Sequence, residues 1–273
     1  MLRTAEELHD YKISATDGEI GQVKDLYFDD HAWTIRYFVV DTGSWLSSRK
    51  VLISPISVHR PDWLAETLPV SITKAQVKNS PSFDSDKPVS RQNEEEVMGY
   101  YGYPYYWGGG GLWGEGLYPY AMAPGYGGSG VDRVEREREM EVYLRDERAR
   151  HRNDDPHLRS CNAVGRYHIE ATDGDIGHVS GFLVDDETWA IRYLIVDTSN
   201  WWLGHKVLIA PLWIKDVRWA DAMVSVDLSR ESIKKAPAYD ASSDWGRNQE
   251  LDLYRHYGRS GYWAGSTVVE TES

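Results

Sequence analysis

One feature constrains this chain more than any other: it is written twice. Ala15-Thr16-Asp17-Gly18-Glu19-Ile20-Gly21 returns as Ala171-Thr172-Asp173-Gly174-Asp175-Ile176-Gly177, an offset of 171 − 15 = 156 residues with only Glu19 changed to Asp175. Without a gap, Trp33-Thr34-Ile35-Arg36-Tyr37-Phe38-Val39-Val40-Asp41-Thr42 then aligns with Trp189-Ala190-Ile191-Arg192-Tyr193-Leu194-Ile195-Val196-Asp197-Thr198. Lys50-Val51-Leu52-Ile53-Ser54-Pro55 aligns with Lys206-Val207-Leu208-Ile209-Ala210-Pro211, and the register runs on to Tyr101-Gly102/Tyr257-Gly258 and Tyr106-Trp107/Tyr262-Trp263. Repeated sequence fixes architecture before any residue-level reading, so two copies of one unit follow.

Each copy reads as β-structure. Asp17-Gly18 and Asp173-Gly174 suit tight hairpin turns, because glycine tolerates the positive φ such turns require. Gly21 and Gly177 lie inside the next apolar run, where a missing side chain predicts a bulge or a close backbone approach. Asp29-Asp30-His31 and Asp185-Asp186-Glu187 read as a second turn, since Asp bonds its own backbone there. The strand that follows is apolar on both faces near its centre, which predicts burial on one side and partial cover on the other. Thr73 and Gln76 form a capping box that opens a short helix, and Pro81 stops it. Many short strands with regular turns favour a small barrel that closes on itself.

Together the Asp-Gly-x-Ile-Gly turn, the Trp-x-Ile-Arg-Tyr strand ending in Val-Asp-Thr, and the Val-Leu-Ile-x-Pro strand resemble the PRC-barrel family. That module is found in the H subunit of the photosynthetic reaction centre and in the ribosome maturation factor RimM. The whole chain looks like bacterial proteins carrying two such modules. The resemblance implies a mainly β fold of two tandem small barrels, and an interaction module that docks onto larger assemblies. The expected layout is a first barrel over residues 1–80 and a polar, then Gly/Tyr/Trp-rich linker over 81–130. A charged helix over 131–152, a second barrel over 157–237 and an aromatic, acidic tail over 238–273 complete it.

Composition narrows the function. The net charge of −13 argues against a phosphate-backbone binder, which needs a basic stripe. The single Cys161 excludes an intramolecular disulfide and fits a reducing compartment. No apolar run reaches the roughly 18–20 residues of a membrane-spanning helix. A cytoplasmic protein is expected. No catalytic residue, metal-ligand spacing, phosphate loop or cofactor motif stands out. The leading expectation is a non-enzymatic adaptor or assembly factor with a protein partner, its barrels packed as a pseudo-dimer or the chain paired as a homodimer. The alternatives, drawn from the family resemblance, are an accessory subunit of a membrane electron-transfer or photosynthetic complex, and an RNA-processing or ribosome-associated factor.

Four sets of residues carry the remaining expectations. Arg36 and Arg192, embedded in apolar strands, need acceptors, and Asp41 and Asp197 on the same strands are plausible ones. Trp45-Leu46 and Trp201-Trp202 sit in polar loops, as partner anchors or as caps folded over a barrel end. Val131 to Arg152 reads as a charged helix, with Asp132/Arg136, Glu141/Arg145 and Asp146/Arg150 spaced i,i+4. The Gly-rich stretch from Gly99 to Gly130 is expected to be mobile, because ordering it costs more entropy than so few apolar groups return.

Overall fold

The computed structural model describes residues 1–83, 89–107, 109–124, 157–198, 205–242 and 245–264. The expected helix over 131–152, and Trp201 and Trp202, lie outside the described residues. The chain divides into a first unit, Glu7–Cys161 with Glu187–Ala190, and a second, Met1–Glu6 with Asn162–Asp186 and Ile191–Ser273.

In the first unit a long strand organises everything. β3 (Gly18–Asp29) pairs antiparallel with β2 (Lys12–Ala15) at its start and with β4 (Thr34–Asp41) along the rest. β5 (Lys50–Ile53) extends the sheet beyond β4, and β6 (Thr67–Pro69) runs parallel to β2, giving the order β5-β4-β3-β2-β6. The second unit repeats this with β8 (His168–Ala171), β9 (Gly174–Asp185), β10 (Ile191–Asp197) and β11 (Lys206–Ile209), and adds β12 (Ile214–Arg218) beside β13 (Met223–Val226). The described residues are mainly β, in two sheets.

Each sheet also takes in a strand from the segment that leads into the other copy. β1 (Leu2–Thr4) pairs with β9 of the second unit, Leu2 opposite Asp185. β7 (Leu158–Ser160) pairs with β3 of the first unit, Leu158 opposite Asp29. The two lead strands are equivalent at the 156-residue offset, 158 − 2, so the exchange is reciprocal.

Glycine and aspartate fix the turns. Gly18 and Gly174 have φ near +133° and +131°, a region closed to residues with a side chain. A Cβ on Gly21 would lie 2.0 Å from the Asp41 carbonyl oxygen, and one on Gly177 1.9 Å from that of Asp197. Asp17 accepts from the Lys74 amide at the start of α1 (Lys74–Asn79), and Asp173 from the Arg230 amide at the start of α4 (Arg230–Lys234), each at 2.7 Å. A hairpin aspartate thus binds the positive end of a later helix. Trp33 and Trp189, read from sequence as strand residues, adopt left-handed turns (φ 48° and 59°) just ahead of β4 and β10.

β4 is buried at every position but Asp41, on both faces. The inner face meets the sheet core. The outer face is covered by the linker, including part of the stretch from Gly99 that is expected to be mobile. α2 (Arg91–Tyr101) buries Glu94, Val97, Met98 and Tyr101, spaced as one helical stripe, and Tyr103, Tyr106 and Trp113 beyond it are buried too. α5 (Arg247–His256) repeats the stripe with Glu250, Leu253 and Tyr254. The entropy argument fails here because tyrosine and tryptophan bring large buried area on few rotatable bonds, and the outer face of β4 is a ready surface for them. α3 (Cys161–Val164) completes the helices of the described residues.

Candidate functional site

The site on each unit grows from a strand irregularity. Tyr27 pairs with Tyr37 and Phe28 with Ile35, so Arg36 is the extra residue of a β-bulge. Arg192 occupies the same bulge between Ile191 and Tyr193. A bulge re-aims a side chain, and here it turns a guanidinium onto the end of the neighbouring strand.

Arg36 is 2% exposed. It donates to the Asp29 carboxylate at 3.1 Å and to the Leu112 carbonyl at 2.6 Å. Its guanidinium lies 3.8 Å from the Tyr106 ring centroid and 4.7 Å from that of Trp113. The cation is therefore held by an acid, a carbonyl and two aromatic faces at once. Burial alone would raise the Asp29 carboxyl; Arg36, the His31 amide and His157 outweigh it and hold the group below its ordinary range.

This corrects the sequence pairing of Arg36 with Asp41. Five residues along a strand span about 16 Å, too far for a direct bond, whereas Asp29 stands across the hairpin. Asp41 instead accepts from the Gly43 amide at 2.8 Å. In the second unit Arg192 likewise pairs with Asp185, at 3.2 Å, rather than with Asp197.

A second layer lies behind the arginine. Glu94 is fully buried. It accepts from the Tyr106 hydroxyl, and Arg91 approaches at 3.4 Å and His157 at 2.7 Å. Glu250 holds the equivalent place, taking hydroxyls from Tyr193 at 2.8 Å and Tyr262 at 2.9 Å, with Arg247 at 3.0 Å. Arg192 lies 4.0 Å from the Tyr262 ring, and Arg247 4.2 Å from that of Trp263. Burial and the nearby glutamate push the Tyr37 and Tyr106 phenols far up.

The acidic turns also serve the exchanged strands. Asp30 takes Arg159 of β7 at 2.8 Å, and Asp186 takes Arg3 of β1 at 3.4 Å. Asp29, Asp30, Asp185 and Asp186, turn formers by sequence, thus each bind an arginine as well. The missed signal was the shared offset itself: Asp29, Arg36, Arg91, Glu94 and Tyr106 all recur 156 residues later.

Trp45 does not stand out from the surface. Its indole N–H donates to the Ile20 carbonyl, and Lys74 lies 4.5 Å from its ring centroid. Trp45 and Leu46 are both half-buried. Cys161 is buried, and burial together with Asp25 pushes its thiol well up, the opposite of an activated nucleophile.

Residues 4–65 match the family described as PRC-barrel domain. That stretch is a PRC-barrel domain. That match spans β2 to β5 and the Asp29–Arg36 hairpin, so the PRC-barrel segment supplies the acid and the arginine of the first site. An uncharacterized protein of Deinococcus radiodurans is 36% identical over 83 residues, covering 29% of this chain and 30% of that protein's own length. No helix among the described residues is long and apolar enough to cross a membrane.

Proposed function

We propose that this chain is a non-enzymatic, cytoplasmic adaptor whose PRC-type units hold peptide segments of a protein partner. The observation that carries this reading is the Arg36 site. There the outer face of a PRC-barrel strand grips a Gly/Tyr/Trp-rich segment of its own chain through a guanidinium, a backbone carbonyl and two aromatic faces. Such a face is built for peptide recognition, in which a cation and aromatic rings share one anchor. The ionisable groups of the site support the same reading, because each buried carboxylate is already committed to an arginine, a histidine or a tyrosine hydroxyl.

Affinity capture with the tagged full-length chain from its native cell tests the proposal. A discrete, saturable protein partner is expected. An empty capture alongside reproducible turnover of a small molecule would refute it.

A further inference from the structure

The two units differ at one apolar turn. In the first, Pro55–Ser57 follows β5 and is buried throughout, with Ile56 only 2% exposed. What covers it is a second 3-10 turn of the same chain, Pro119–Met122. In the second unit the equivalent turn is Pro211–Trp213, and Leu212, the counterpart of Ile56, is 70% exposed. Trp213 beside it is buried against Tyr254 and Tyr257, so the turn is rigid rather than frayed. The covering sequence Tyr118-Pro119-Tyr120-Ala121-Met122 occurs once in the chain.

We infer that the Pro211–Leu212 turn is a docking site for a partner protein's short 3-10 turn of the Tyr-Pro-Tyr-Ala-Met kind. The first unit displays the complex within one chain: proline fixes φ for the incoming turn, and flanking aromatic and methionine side chains supply area. The second unit offers the same backbone turn with an exposed leucine where the first has a covered isoleucine. This rests on the adaptor reading and specifies which chemistry the partner presents.

A fluorescently labelled peptide of residues 117–124 is titrated against the full chain and against its Leu212→Asp variant. Saturable binding is expected, weakened about tenfold or more by the substitution. A peptide with Pro119→Asp and Tyr120→Ala should not bind. Binding that ignores Leu212→Asp would overturn the inference, as would no binding at all. It also falls if binding needs residues 265–273 removed, or if Leu212 instead drives pairing of two chains in sedimentation. Partner capture that is equal for the wild type and Leu212→Asp sinks this inference and leaves the adaptor reading standing.

Discussion

Removing the positive charge at residue 36 probes the first site most directly. Arg36→Met keeps much of the stem but strands Asp29, and breaking a buried pair costs about 3–5 kcal/mol. Asp29 keeps two other donors, the amides of His31 at 2.8 Å and Ala32 at 3.3 Å, so the lower end of that range applies. Lost stacking on Tyr106 and Trp113 contributes about 1 kcal/mol, and the unpaired Leu112 carbonyl about another 1 kcal/mol. These terms share one geometry and overlap, so a total of about 4 kcal/mol is expected. In the second unit Arg192 is 16% exposed in its side chain, against 2% for Arg36, and Arg192→Met should cost about half as much or less.

A two-unit chain does not unfold in one step, so hydrogen exchange over residues 103–116 is the better assay. Arg36→Met should deprotect those amides strongly, while Arg192→Met leaves them unchanged. Pairing it with Asp29→Asn should recover more than half the loss, because the stranded charge is gone. Asp29 has a lowered pKa, so its contribution is complete above about pH 4 and is lost as the pH falls below that. Arg36→Met should therefore flatten the acid limb of the stability profile. A cost under about 1 kcal/mol, or a double variant as unstable as the single, would refute the argument.

Three further outcomes follow from the same geometry. Tyr37, Tyr101, Tyr103, Tyr106, Tyr193, Tyr254, Tyr257 and Tyr262 are all raised by burial, Tyr103 and Tyr262 to about 12, so their stabilisation holds below about pH 10 and declines above it. In a spectroscopic alkaline titration these phenols should ionise only as the protein unfolds; simultaneous titration of every tyrosine in the folded state would contradict this. Gly177→Ala should abolish folding of the second unit, since its Cβ would meet the Asp197 oxygen, whereas Gly258→Ala, with φ +62° and open space, costs about 1 kcal/mol by thermal melting. Cleavage at a protease site placed within residues 125–156 should leave both pieces co-eluting on size exclusion, because β1 completes the second unit and β7 the first; separation without denaturant would argue against the exchange.

The sheet was legible in the sequence because its causes are local. Short apolar runs, Asp-Gly turns and the capping box at Thr73 act within a few residues of each other, and the last is present with both bonds made. The site was less legible because its causes are not local. Arg36 needed an acid, and the sequence offered Asp41 on the same strand. Only the hairpin register brings Asp29 opposite, and only the bulge turns Arg36 towards it. The order within the linker is hard to read for a related reason. Val97, Met98 and Tyr101 are helically spaced, but Glu94 in the same stripe reads as a solvated position until Tyr106, Arg91 and His157 are seen beside it.

Beyond the added strand β12, the copies diverge at the turn after β5 and β11 and at the segment packed on it. In the first unit Ser57 sits in the turn and a buried Tyr103 comes from the tail. In the second, the tail position carries Arg259, bound outward to Asp227 at 2.9 Å, while the turn itself supplies the buried aromatic, Trp213. The large ring has moved from tail to turn. Trp213 closes the second core from within the turn, and no described segment covers Leu212 as Pro119–Met122 covers Ile56. Leu212 is the residue this exchange leaves in solvent. A core that no longer depends on its cover can keep an apolar turn open without unfolding, which is the condition an exchangeable partner requires.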